Sequence, residues 1–314
     1  MNILFAAPEN AWGGFLGMIR PLLPEHHFVA TGRFGVDSLE GFHVLIPTMC
    51  PITREVLEGA DQLKLIQQCG AGLEGVDITA ARDRGIRVAN VPTDISGNAD
   101  SVAEVGIYLM IGLSRDVQAM ARSLGNRKMG EPRGMALCGR TVGLVGLGGI
   151  GRALVKRLKA FDVHLMGIKR HEPDKAMKEL GLEWAGGRDD LKQLLERSDY
   201  VLLCLPLAPE TTHVIDKEAF SHMKQGAFLI NLSRGGLVDR DALEAALASG
   251  HIAGAGLDVF WEEPPDPDDP VFSYNVLATP HIAGSTDISM QGIAKVVAEN
   301  IRRVEKDQKP LYTK

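Results

Sequence analysis

Residues 141–170, TVGLVGLGGIGRALVKRLKAFDVHLMGIKR, decide the fold. A run rich in β-branched residues leads into GLGGIG at 146–151. A helix with one apolar face follows, and then a second strand-like run, VHLMGI, ends in Lys169-Arg170. The strand–glycine–helix order makes the G-x-G-x-x-G spacing specific for a dinucleotide. Gly146 permits the tight turn, Gly148 lets the backbone approach a pyrophosphate, and Gly151 lets helix and strand pack closely. The first helical amides, from Gly149 and Ile150 onward, face the anion. A site for NAD usually ends the second strand with Asp or Glu, which binds the ribose 2′-OH. Two cations stand there instead, so the reading favours a 2′-phosphate, and NADP(H) over NAD(H).

The same alternation of strand and helix extends both ways. MNILFAA, HHFVAT, HVLIPT, LKLIQQC and IRVANV precede the motif, with helices expected at 54–60 and 78–85. After an interruption at SGNADSVAEVGIYLMIGLSR, read as a long apolar helix capped at Ser96 or Asn98, a second series runs TVGLV, VHLMGI, YVLLCLP, GAFLINLS, IAGAGLDVF and VLATP. A terminal amphipathic helix is expected from about Thr286 to Lys306. Alternating β and α predicts parallel sheets covered on both faces. The expected architecture is α/β with two doubly wound domains. Residues 98–284 form a Rossmann dinucleotide-binding domain, and residues 1–97 with 285–314 form a flavodoxin-like substrate domain. The crevice between two such domains is the expected reaction site.

Composition narrows the classes. A chain of 314 residues with net charge −6 carries no basic patch of the nucleic-acid-binding kind. Its apolar runs are too short to span a membrane, and MNILFAAPEN lacks the basic and long apolar regions of a secretory signal. Cys50, Cys69, Cys138 and Cys204 are scattered without a C-x-x-C pair, so neither disulfides nor a metal site are expected. A reducing, cytoplasmic setting is expected. EEPPDPDDP at 262–270 reads as a surface turn.

Three chemically capable residues each follow a strand of the second series: Arg234 in NLSRGGLVD, Glu263 in LDVFWEEPP and His281 in LATPHIAG. Strand ends converge on one crevice. There a guanidinium could bind a carboxylate and polarise a carbonyl, and an imidazole could transfer a proton. A carboxylate bonded to that imidazole would set its tautomer and raise its pKa. Spacing alone leaves Glu262 and Glu263 equivalent.

The chain resembles the D-isomer-specific 2-hydroxyacid dehydrogenase family over nearly its whole length. The resemblance rests on GAGLEGVD at 70–77, SGNADSVAE at 96–104, GRTVGLVGLGGIG at 139–151, PLAPETTHVI at 206–215, NLSRGGLVD at 231–239, LDVFWEEP at 257–264 and TPHIAG at 279–284. It implies that Arg234 binds the substrate carboxylate and carbonyl, that His281 is the acid/base, and that Glu263, directly before the proline, is its partner. It also implies that Asp258 contacts the nicotinamide carboxamide and that the backbone of Ala71, Gly72 and Leu73 holds the carboxylate. Leu205, Pro206, Thr211 and Ser233 would border the cofactor. Homodimers through the long helix after Asn98 are implied too.

Two departures stand out: Leu73-Glu74-Gly75 replaces a common aspartate–asparagine pair, and Lys169-Arg170 replaces the ribose-binding acid. The expected reaction is reduction of a small 2-keto acid such as glyoxylate, hydroxypyruvate or a branched 2-keto acid, with Met49, Leu73 and Trp261 as an apolar wall. The alternatives are an NAD-dependent D-2-hydroxyacid or 3-phosphoglycerate dehydrogenase and, in another class, a dinucleotide-sensing protein like the family's corepressors. Phosphoglycerate is expected to fit less well, because Glu74 would repel a phosphate and no C-terminal regulatory domain is expected. Formate enzymes carry Gln in place of Glu263.

Overall fold

The computed structural model describes residues 1–314, which divide into two compact units, 1–98 with 284–314, and 99–283. In the first unit β1 (Asn2–Phe5), α1 (Ala11–Ile19), β2 (His27–Ala30), β3 (Val44–Ile46), α2 (Arg54–Glu58), β4 (Leu65–Gln67), α3 (Ile78–Asp83) and β5 (Arg87–Ala89) follow in order. The strands form a parallel sheet in the order β2-β1-β3-β4-β5, the flavodoxin-like arrangement. Fully buried Ile3, Phe5, Val44, Ile46 and Leu65 point to one face, and Leu4, Leu45 and Ile66 to the other. That period of two lets short apolar runs sit between two helical layers. The Thr53 and Asp77 side chains accept from Val56 N–H and Ala80 N–H, which starts α2 and α3.

The second unit opens with α4 (Asn98–Arg115) and α5 (Val117–Gly125). The expected long helix is α4, which ends at Arg115; Asp116 then takes a left-handed φ of 49° and caps α5, a helix not expected from the sequence, through Ala119 N–H. Then follow β6 (Thr141–Val145), α6 (Gly149–Leu158), β7 (His164–Ile168), α7 (Pro173–Leu180), β8 (Trp184–Gly186), α8 (Leu191–Arg197), β9 (Tyr200–Leu203), α9 (Lys217–His222), β10 (Ala227–Asn231), α10 (Arg240–Ala248), β11 (Ile252–Leu257) and β12 (Val276–Ala278). The sheet is seven-stranded and wholly parallel, ordered β12-β11-β10-β9-β6-β7-β8. The edge strand β8 escaped the sequence reading. Its three residues, Trp-Ala-Gly, carry no β-branched signal, and pairing with β7 defines them. Finally α11 (Asp287–Glu305), capped by Thr286, returns to the first unit and packs Met290, Ile293, Ala294, Val297 and Ile301 into its core. No helix is long and apolar enough to cross a membrane.

The strand order reverses between β6 and β9. A crevice at the carboxyl ends of the strands is the expected consequence. Every residue singled out in the second unit lies in a segment leaving such an end, except Thr211, further along the loop after β9.

Candidate active site

Three neighbouring strands deliver the three chemically capable residues. β10 ends at Asn231 and hands over to Ser233-Arg234, β11 ends at Leu257 before Asp258–Glu263, and β12 ends at Ala278 before Thr279–His281. The Asn231 side chain braces the first turn: its Nδ2 donates to Arg234 O at 2.8 Å, and its Oδ1 accepts from Ser233 N–H. Ser233 is buried and its hydroxyl donates to Leu203 O. A Cβ at Gly235 would lie 2.1 Å from the Phe260 carbonyl, so the arginine turn and the Glu263 segment come together only because residue 235 is glycine. The sequence reading used neither Asn231 nor Gly235, because each acts through tertiary contact.

His281 Nδ1 lies 2.7 Å from Glu263 Oε2, and Glu263 Oε1 accepts from Phe260 N–H at 3.0 Å. Glu262 is exposed, so Glu263 is the partner. Burial pushes the Glu263 carboxyl up. The hydrogen bond and charge of His281, the Phe260 amide and the Arg234 charge outweigh burial and leave it below its ordinary value. Glu263 is therefore an ionised acceptor near neutrality, and the Nδ1 position carries the ring hydrogen. His281 itself sits at φ 52°, in the left-handed region. Its N–H is held by Thr279 O at 2.9 Å.

Asp258 maintains that turn. Its Oδ1 accepts from Thr279 Oγ1 at 2.6 Å and from Ile282 N–H at 3.0 Å, and Ala283 N–H reaches Oδ2 at 3.1 Å. Burial pushes its carboxyl above the ordinary value, against these hydrogen bonds and the His281 charge. The resemblance implies only a cofactor contact for Asp258; the clamp on the histidine turn is an additional task.

The glycine turn fits a dinucleotide. Gly146 has φ +108°, and a Cβ there would meet Cys204 O at 2.6 Å. A Cβ on Gly151 would meet Gly146 O at 2.2 Å, so the helix lies against the turn as the motif demands. Gly148 faces open space, with no atom within 4 Å of an added Cβ, and α6 has no side-chain cap. The amides starting α6 at Gly149 and Ile150 thus have open space beside them, where an anion can take the place of a cap. Leu205 and Pro206 follow β9. Thr211 closes their loop, donating to Pro206 O and accepting from Ala208 N–H.

At the end of β7 the two cations differ. Lys169 Nζ donates to Leu147 O at 3.4 Å and makes no ion pair. It borders an open hollow of about 310 Å³ shared with Arg152, Glu172, Lys175, Ala176 and Glu179. Arg152 and Lys175 are paired there with Glu179 and Glu172. Arg170 is exposed and paired with Glu210 at 3.0 Å, while Arg188 donates to Glu210 O.

In the first unit the segment at 70–73 is tied down by Asn90, whose Nδ2 donates to Ala71 O at 2.7 Å, and by Val91 N–H on Gly70 O. Ala71 is exposed, whereas Gly72 and Leu73 are half-buried. Met49 is exposed, and Trp261 donates its indole N–H to Val238 O.

The chain is similar to known proteins in sequence and fold. A family model described as the D-isomer specific 2-hydroxyacid dehydrogenase, NAD binding domain, matches residues 107–283. Glyoxylate reductase of Thermococcus litoralis is 38% identical over 269 residues, covering 82% of this chain and 79% of that protein. D-3-phosphoglycerate dehydrogenase of Methanocaldococcus jannaschii is 37% identical over 283 residues, which is 88% of this chain and 53% of that protein. The chain therefore spans about half the length of the phosphoglycerate dehydrogenases it matches. A crystal structure of a Thermus thermophilus protein superposes with a TM-score of 0.84 at 32% identity, over 100% of this chain and 99% of the other.

Proposed function

The chain belongs to the D-isomer specific 2-hydroxyacid dehydrogenase family, and on that premise we propose that it reduces a small 2-keto acid to the D-2-hydroxy acid, using NADP(H) in preference to NAD(H). The observation that carries this reading is the 2.7 Å contact between His281 Nδ1 and Glu263 Oε2, with Arg234 close enough to act on the same carboxylate.

When bound, the nicotinamide cofactor supplies the hydride. The protein's part is orientation, charge and a proton. Arg234 binds the substrate carboxylate through paired N–H donors and polarises the neighbouring carbonyl. Glu263, ionised, holds His281 in the tautomer with hydrogen on Nδ1. The opposite ring nitrogen, Nε2, then gives a proton to the keto oxygen in reduction and takes it back in oxidation. Asp258 keeps the 279–283 turn in place and is assigned the carboxamide contact. Gly146, Gly148, Gly149, Ile150 and Gly151 receive the pyrophosphate, with Leu205, Pro206, Thr211 and Ser233 around the cofactor. For Ala71, Gly72 and Leu73 we keep the anion-binding role implied by the family.

The preference for NADP(H) rests on Lys169, a cation without an ion pair at the end of β7. Relatives named D-3-phosphoglycerate dehydrogenase support a second reading, oxidation of a phosphorylated hydroxy acid with NAD. Turnover of glyoxylate, hydroxypyruvate, a branched 2-keto acid and 3-phosphohydroxypyruvate, each with NADPH and NADH, separates the readings. Tight dinucleotide binding with no turnover across that panel would instead favour a sensor. Exposed Tyr108, Ile111, Met120 and Leu124 on α4 and α5 support the expected homodimer, which light scattering would test.

A further inference from the structure

We propose that Glu25, His26 and Glu305 form a transition-metal site, taking a zinc-type divalent cation through one imidazole nitrogen and two carboxylates. All three belong to the first unit, and none takes part in the proposed catalytic chemistry. His26 immediately precedes β2, and Glu305 is the last residue of α11.

The first observation is a buried imidazole nitrogen without a partner. The His26 side chain is 0% exposed, yet its Nε2 has no hydrogen-bond partner. Buried polar atoms in folded proteins are rarely left so, and each exception calls for a cause. Nε2 points toward two carboxylates, 3.7 Å from Glu305 Oε2 and 3.9 Å from Glu25 Oε1. A charge-assisted N–H···O bond would be roughly 2.7–2.9 Å long, so these contacts are too long to be its partners.

The same spacing suits an ion. The three ligand atoms lie within 4.8 Å of one another. Tetrahedral ligands bound to zinc at about 2.1 Å stand about 3.4 Å apart. The two carboxylates, 3.7 and 3.9 Å from Nε2, need to approach it by about 0.3–0.5 Å and each other by up to about 1.4 Å to reach that spacing, a movement within reach of two exposed glutamate side chains, with water completing the coordination. The chemistry of the donors selects the ion. Imidazole with carboxylates suits zinc and its neighbours, whereas calcium and magnesium prefer oxygen alone.

The second observation is electrostatic. Glu305 closes the C-terminal turn of α11, where the helix dipole disfavours a carboxylate. Neither Glu25 nor Glu305 is paired with Lys or Arg; their ion-pair contacts are with His26. Arg302, one turn earlier, spends its guanidinium on Leu22 O. A bound cation compensates both acids and pins the end of α11 to the turn before β2.

The test uses the full, untagged chain freed of metal with EDTA. Zinc chloride titrated by calorimetry should show one ion per chain with Kd on the order of micromolar, and zinc at 100 Kd should raise Tm by several degrees. Glu25→Gln and Glu305→Gln alter exposed groups and should leave Tm without zinc unchanged. Each should weaken zinc binding at least about tenfold, the loss of one ligand, and abolish the shift. Absence of stoichiometric binding would overturn the proposal, as would equal affinity in both variants, which places zinc elsewhere. Variants that lower Tm in EDTA and bind no zinc differently from wild type would also overturn it, since His26 would then act as an imidazolium between two acids.

Discussion

His281 and Glu263 are joined by one short contact, Nδ1 to Oε2 at 2.7 Å, while the second carboxylate oxygen is held by the Phe260 amide. With both oxygens committed, the carboxylate has one orientation and so does the ring. His281→Ala should lower kcat by about 10²–10⁴-fold, the usual worth of a positioned acid/base. Glu263→Gln keeps the shape but loses the ionised acceptor, and should lower kcat by at least about tenfold. Dinucleotide Kd, measured by fluorescence, should stay within about twofold in both. Unchanged turnover of the histidine variant would remove His281 from the mechanism.

The two buried acids of the site should respond to pH in opposite directions. The Glu263 carboxyl is held below its ordinary value. Its ionisation therefore contributes stability above the ordinary carboxylate range, and this is lost as pH falls through its lowered folded value. The Asp258 carboxyl is pushed up, chiefly by burial. Its ionisation is a penalty in the folded state near neutrality, and the penalty disappears as pH falls below the ordinary value. Urea unfolding between about pH 3 and pH 7 should show the wild-type advantage over Glu263→Gln shrinking with acid. The stability difference from Asp258→Asn should move in the wild type's favour over the same window. Parallel trends would contradict the assignment.

Two glycines of one motif should fail differently. A Cβ at Gly151 lies 2.2 Å from Gly146 O, a backbone atom that cannot step aside. Gly151→Ala should therefore destabilise the fold by about 1–3 kcal/mol, as overpacking does. Gly148 has φ −81° and open space around it. Gly148→Ala should keep its Tm and instead lose dinucleotide affinity by tenfold or more, or about 1.4 kcal/mol. Thermal melts and binding isotherms on the two proteins separate these effects.

Cofactor choice should turn on Lys169 more than on Arg170. Lys169→Met should weaken NADPH and leave NADH nearly unaffected. Arg170 is tied to Glu210 in an exposed pair, of a kind worth about 0.2–1 kcal/mol. Glu210→Gln should free it and tighten NADPH two- to fivefold. A wild type that already prefers NADH would set the reading aside.

The strands and the glycine turn were legible because their signals are local. Alternating short apolar runs, the amphipathic segments at 54–60 and 78–85, and the G-x-G-x-x-G spacing each lie within a few residues. β8 was not legible, since Trp184–Gly186 becomes a strand only by pairing with β7. Nor was α5, which starts at the left-handed Asp116, a backbone turn that no hydrophobic period reveals. Asn231 and Gly235 were silent for the same reason: one braces a turn, and the other makes room for Phe260.

The amino-acid order by itself determined the parallel α/β class, the dinucleotide turn and the placing of Arg234, Glu263 and His281 after strands. Backbone sterics and hydrophobic period act over a turn or a strand and need no distant partner. The family resemblance pointed to Glu263 over its neighbour. Only the tertiary structure put its carboxylate 2.7 Å from His281 and made Asp258 the clamp on the histidine turn. It also decided that Lys169 is left without a counter-ion and that His26 faces Glu305 from the other end of the chain. Those are distances and desolvation energies between groups far apart in sequence, and they acquire values only once the chain has folded.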